Sequence, residues 1–190
     1  MKLSKEQAAA NKQQIIETAV SSFKEHGVGA VGVSEIMKEA GFTHGGFYNH
    51  FESKEDLIAA AYAAAFEEGI AGVREVVKKG KLSSAIDNYL SVSQRDAPAK
   101  ACPTAGLVTD AVRQNRQVRS AYTQGIADYV DAMQEKMKGA SASVRRHKAM
   151  STLAMMVGAM TMARAIGDAN EELSVDFLDA AKAAIRGSVK

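Results

Sequence analysis

A chain of 190 residues with 46% hydrophobic and 24% charged side chains can bury a core of its own, which excludes a disordered or fibrous protein. Its net charge of +2, with basic and acidic residues near balance over positions 1 to 54, excludes the strongly basic build of an architectural nucleic-acid binder. One cysteine, Cys102, excludes an internal disulfide and a multi-cysteine zinc site, and two prolines among abundant Ala, Glu, Lys and Met predict an all-α chain of about nine helices.

Met1 to Lys12 are polar, with no apolar stretch suited to secretion, and the longest apolar run, Leu153 to Ala163, stops at Arg164, too short for a bilayer. A cytoplasmic protein with no membrane partner is expected. Ile15, Ile16, Ala19, Val20 and Phe23 recur at helical spacing and predict a first helix over about residues 5–26, closed by Gly27 in a left-handed C-cap. A short second helix, Val33 to Ala40, carries Ile36, Met37 and Ala40 on one side and ends at Gly41. Thr43 stands where it would cap a third short helix, with Phe47 and Phe51 as its apolar face. Two short helices joined by a tight turn form a helix-turn-helix. Ser53 to Asp56 then reads as a capping box for a long fourth helix reaching about Lys78. Further helices are expected at Leu82–Gln94, Pro103–Arg113, Gln117–Lys138, Ala142–Gly167 and Ser174–Gly187, with a loop over Arg95–Ala101. A small N-terminal module, 1–53, thus precedes a larger helical one, 54–190.

The run Val33-Ser34-Glu35-Ile36, continued by Ala40-Gly41-Phe42-Thr43-His44-Gly45-Gly46-Phe47-Tyr48-Asn49-His50-Phe51-Glu52-Ser53-Lys54-Glu55-Asp56-Leu57, resembles the signature of the TetR family of transcriptional regulators. The resemblance covers roughly a quarter of the chain and ends in a specific Tyr-x-His-Phe-x-x-Lys pattern. It implies a three-helix DNA-binding head for double-stranded operator DNA, followed by a helical body that binds an inducer and forms a homodimer through its last two helices. It also implies that the protein represses until the inducer tilts the fourth helix and changes the separation of the two heads.

In a helix-turn-helix the second helix enters the major groove by its N-terminal residues, which puts Thr43 and His44 where base edges are read. Asn49 either pairs with adenine or faces water. Gly45 and Gly46 each cost up to about 1 kcal/mol in a helix interior, so they reflect either close approach of the main chain to DNA or drift. They also predict a recognition helix that is loosely ordered until DNA completes it. The resemblance assigns Tyr48, His50 and Lys54 to phosphates, against a core aromatic and a helix-terminal cap for the first two. Many members carry Ser or Thr where Gly32 stands. Capping can then fall to Ser34, whose hydroxyl is otherwise a phosphate contact.

In the body, Met150, Leu153, Val157, Thr161 and Arg164 form one stripe and Leu178, Ala181 and Ile185 another, the expected dimer interface. By the family's layout, Tyr62, Phe66, Tyr89, Tyr122, Tyr129 and His147 line the inducer pocket, joined by Met133 and Met156 from a methionine-rich stretch that equally suits ordinary core filling. Cys102 before Pro103 sits at a helix N-terminus, and either senses an oxidant or electrophile or is a buried inert thiol. His26, His44 and His50 lack metal-ligand spacing, and no nucleophile-base-orienter set or phosphate loop can be assembled. Neither an enzyme nor a metal or cofactor is expected.

Overall fold

The protein, as a computed structural model, is described over residues 4–79, 82–100 and 102–189. Ser4 opens α1 (Lys5–His26) by accepting from the backbone N–H of Gln7 at 3.1 Å. There follow α2 (Val33–Glu39), a 3-10 helix (His44–Asn49), α3 (Lys54–Lys79), α4 (Leu82–Tyr89), α5 (Val92–Arg95), α6 (Pro103–Gly106), α7 (Val108–Ala111), α8 (Arg116–Gln134), α9 (Ala142–Ile166) and α10 (Glu171–Val189). No strand occurs among the described residues.

Two helices expected as single segments are each broken. Ser91 caps a new helix, accepting from Gln94 N–H, and so separates α5 from α4. Leu107, at φ −109°, interrupts Pro103–Arg113 because its side chain is buried in the head's core while α6 packs on the body. The expected loop Arg95–Ala101 contains a 3-10 turn over Pro98–Lys100, and Ala101 lies outside the described residues. Arg95 itself is no loop residue. Its buried guanidinium donates to Asp96, Glu171 and Ser174, and Ser174 in turn donates to the carbonyl of Ala163, which locks α5 against α9 and α10.

α3 is the spine shared by both parts. Leu57, Ile58, Ala61, Tyr62 and Ala65 join the head's core around Phe23, Ile36 and Phe47, whereas Phe66 and Ile70 enter the body's core with Met133, Leu153 and Leu178. The head's core also takes in Leu107, Ala111 and Val118 from the body. Hydrophobic contact therefore crosses residue 53, and any motion of the upper half of α3 is felt in the head.

Candidate functional site

The turn of the helix-turn-helix is built by Gly41, at φ +82°. Its N–H bonds the carbonyl of Lys38 at 3.1 Å and that of Phe42 bonds Met37 at 2.7 Å, a Schellman pair that ends α2 and turns the chain. The element beyond is a 3-10 helix rather than the expected α-helix. Thr43 stands at its N-cap in extended conformation, but the side chain makes no capping bond; the carbonyl serves, accepting from Gly46 N–H at 3.0 Å.

Phe47 and Phe51 anchor this element, both buried and stacked at 5.5 Å. With those rings inside, His44, Gly45, Tyr48 and Asn49 face outward, and Tyr48 is 68% exposed, with its edge toward His44 and Phe47. Core placement of Tyr48 is thereby excluded. His50 closes the element as its C-cap, half-buried, through its own backbone N–H to Phe47.

Ser34 does not cap α2. Gly32 holds that position without a side-chain bond, while the Ser34 hydroxyl lies 2.9 Å from His44 Nδ1 and joins the two helices of the motif across their outer face. Neither Gly45 nor Gly46 is required by the protein itself. A methyl at Gly45 would meet nothing within 4 Å, and one at Gly46 only ordinary contacts at 3.7 Å with Met37 and Thr43.

Lys54 is turned inward. Its ammonium donates to the carbonyls of Val28 at 2.9 Å and Val31 at 2.6 Å, which commits two of its three donors to the α1–α2 loop. The N–H of Val28 is held by Asp110 Oδ2 at 2.8 Å. This explains why Gly27, at φ 82° and ψ 152°, is not the left-handed cap expected: it aims the next N–H away from α1 and at a carboxylate of α7. The Ser53 capping box forms in altered shape, Asp56 N–H to Ser53 Oγ at 3.1 Å, with the Asp56 carboxylate reaching Glu52 N–H at 3.4 Å.

In the body, Tyr89, Cys102 and Tyr129 share a cleft of about 270 Å³. Cys102 Sγ donates to the Tyr129 hydroxyl at 3.0 Å and lies 3.2 Å from Thr104 Oγ1, which also meets the Tyr89 hydroxyl at 3.1 Å. Burial pushes the Tyr89 and Tyr129 phenols well up, and Tyr122 up to about 12. Met133 and Met156 line a small apolar pouch of about 40 Å³ that also borders Tyr89 and Tyr129.

The other expected pocket residues are elsewhere. Tyr62 is buried in the head's core with its hydroxyl toward Leu107 O, and Tyr122 bonds Thr104 O at 3.1 Å; Phe66 packs edge-on between Tyr122 and Tyr129. His147 is exposed beside Ile185, on a groove none of the others lines, because the turn of α9 it occupies faces away from α3 and α4. Lys24 and Lys100, which sequence reasoning missed, do line the cleft. Helical phase offered no cue for Lys24, half-buried in the last turn of α1.

The expected dimer stripe is corrected in the same way. Leu153, Leu178, Ala181 and Ile185 are buried in the protomer's own core, where α9 and α10 pack antiparallel on each other, and Arg164 donates to the carbonyls of Arg95 and Gln94. Thr161 and Val157 are half-buried, leaving Met150 exposed. A 3.6-residue period marks a buried face but not whose surface buries it. The exposed apolar face of α9 is Ala154, Met155, Gly158 and Met162, near Leu173 of α10 in composition. The run Ala142–Gly187 holds an 18-residue window of mean hydropathy 1.3, which by length and composition alone is enough to cross a membrane. Gly167, at φ +52°, breaks that run into two helices.

Fold and site together define a helix-turn-helix protein whose head is carried on an all-helical body. Residues 15–61 match the model of the bacterial regulatory proteins of the tetR family. The chain belongs to the TetR family of transcriptional regulators. It is 39% identical over 56 residues to the probable acrEF/envCD operon repressor of Escherichia coli K12, covering 30% of this chain and 26% of that protein. The match thus spans about a quarter of that curated relative's length. Among solved structures, reduced NemR of E. coli superposes with a TM-score of 0.76 at 19% identity over 95% of this chain and 97% of that one. A TetR family regulator from Agrobacterium tumefaciens gives 0.77 at 20% identity over 96% and 100%.

Proposed function

We propose that the protein is a DNA-binding transcriptional repressor that sits on a near-palindromic operator as a homodimer and leaves it when its body is engaged. The observation that carries this is the outward face of the 3-10 helix. Tyr48 is exposed beside His44 with two unneeded glycines between the anchors, and this face is braced by the Ser34–His44 bond. On this reading Thr43, His44 and Asn49 meet base edges, Gly45 and Gly46 let the main chain approach, and Ser34, Tyr48 and His50 serve phosphates. Lys54 positions the loop and has one donor left for a phosphate.

The homodimer uses the exposed face of α9, where Ala154 and Gly158 permit close approach and Met155 and Met162 fill gaps. Size-exclusion chromatography with light scattering tests this: Gly158→Arg, which has open space in the protomer, yields a folded monomer with weak operator affinity.

Release has two routes that meet at one place. A ligand enters the cleft, or an electrophile adds to Cys102, which opens on it. Edge-on rings, Tyr129 to Phe66 to Tyr122 to Tyr62, lead from that thiol to the head's core along α3. The deciding experiment is salt-dependent binding to DNA upstream of the protein's own gene against a scrambled fragment; equal affinity for both sinks the specific-repressor reading. A Cys102→Ser variant that releases DNA under an electrophile as readily as the parent removes the covalent route.

A further inference from the structure

Two cations that the sequence reading did not use meet at the seam of head and body. Lys24, in the last turn of α1, is half-buried and lines both the Cys102 cleft and a second cleft of about 400 Å³ beside it. Arg164 of α9 lines that second cleft. Its Nε and Nη2 donate to backbone carbonyls at 3.3 and 2.9 Å, and no carboxylate pairs with it among the described residues. Burial lowers the pKa of both groups, and the charge of Arg164 lowers that of Lys24 further. The nearby carboxylates are Glu25 and Glu68, both exposed, and Asp96, which is committed to Arg95. Thr161 Oγ1, in the wall of the second cleft, is buried without a hydrogen-bond partner among the described residues. Two underpaired cations and an orphaned hydroxyl at one seam favour an anion. The pouch beyond Tyr89 and Tyr129, lined by Leu82, Met133, Leu153 and Met156, holds no charged group and favours hydrocarbon.

We propose that the body takes a small organic carboxylate, its charged end between Lys24 and Arg164 and its apolar end past Tyr89 and Tyr129 in the pouch. This rests on the reading of the body as a ligand-responsive module. The cleft is near the low end of the range for small-molecule sites, about 300–1,000 Å³, which favours a medium-chain or single-ring acid. Because Lys24 belongs to α1 and Arg164 to α9, a bridging carboxylate ties the head to the body.

Calorimetric titration of the full chain with octanoate, octan-1-ol and acetate separates the two ends. Octanoate binds, and the alcohol and acetate each bind at least about tenfold more weakly, since each lacks one half of the match. Lys24→Gln, with its melting temperature checked, weakens octanoate about tenfold without changing octan-1-ol, and Lys24→Arg restores it. The site is refuted if octanoate does not bind at millimolar concentration, if octan-1-ol binds as tightly, or if Lys24→Gln leaves octanoate unchanged. Operator release is scored in parallel. Octanoate that binds as expected but releases no DNA leaves the carboxylate site standing and removes the ligand-responsive reading. An uncharged compound that releases operator equally from the parent and Lys24→Gln, with octanoate silent, does the reverse.

Discussion

Asp110 and Lys54 grip opposite ends of one residue: the carboxylate of Asp110 takes the N–H of Val28 while the ammonium of Lys54 takes its carbonyl. Asp110 comes from α7 in the body and Lys54 from the first turn of α3, so the α1–α2 loop is held between them. A hydrogen bond to a charged group contributes about 1.5–3 kcal/mol when its partner would otherwise be left unpaired. Asp110→Ala and Lys54→Met should each lower stability by that order in urea unfolding. Since both act through one peptide, the double variant should lose less than the sum, and additive losses would show that the two grips are independent.

The same geometry changes what Lys54 does for DNA. A lysine that only neutralises a phosphate lowers the salt slope of binding by about one when removed. With two donors bound to Val28 and Val31, Lys54 acts through the loop instead. Lys54→Met should weaken operator binding while leaving the slope of log affinity against log salt unchanged. Tyr48→Phe, at an exposed ring, should weaken binding without lowering stability.

Two glycines of the body exist for aromatic neighbours. A methyl at Gly125 would overlap the ring of Phe66, and one at Gly69 would overlap the Tyr129 hydroxyl and press on Pro103 at 3.2 Å. Overpacking of this kind costs about 1–3 kcal/mol. Gly125→Ala should stand at the upper end because the Phe66 ring is 2% exposed and cannot step aside. Gly72→Ala in α3, with open space around it, should be neutral or stabilising by up to about 1 kcal/mol. Equal losses at all three positions in thermal unfolding would contradict the packing account.

These glycines illustrate what could be read from the chain and what could not. The helix-turn-helix was legible because Gly41, Phe47 and Phe51 act locally: one sets a turn, two set a face. The long helices were legible from their period. Partners distant in sequence were not, because nothing near Lys54 announces the carbonyl of Val28, and nothing near Gly27 announces Asp110, 82 positions beyond Val28. The stripe of Leu178, Ala181 and Ile185 was seen but given to a second copy, since amphipathicity is the same whether the covering surface is internal or not. The cleft was only half visible: aromatic residues suggested it, while Lys24 and Lys100 gave no sign.

The buried phenols make the body sensitive to alkali. Burial, and secondarily the neighbouring Cys102, raises Tyr122 from 10.0 to about 12, and Tyr62, Tyr89 and Tyr129 are raised in the same direction with burial as the first cause. A folded-state pKa above the unfolded value means that the folded form keeps its proton longer. The contribution is therefore fully present below pH 10 and is lost as pH rises toward 12. Melting temperature followed by circular dichroism should fall steeply across that window. A flat profile between pH 10 and 12 would mean the phenols are open to water.

Gly45 offers the cleanest separation of binding from folding. Its surroundings are empty and its φ is not in the positive range, so the protein has no internal use for the missing side chain. Alanine there should leave stability unchanged or raise it by up to about 1 kcal/mol, because glycine is the costlier residue in a helical turn. If the main chain of the 3-10 helix runs close to a phosphate or a thymine methyl, the added methyl intrudes on DNA alone, and operator affinity should drop by an order of magnitude or more. Gly46→Ala should behave likewise, with only the 3.7 Å contacts to Met37 and Thr43 to absorb on the protein side. Two measurements on one variant decide the matter. A Gly45→Ala protein as stable as the parent that also binds operator as well would show that the glycine is there by drift, and the recognition surface would then have to be carried by His44, Tyr48 and Asn49 alone.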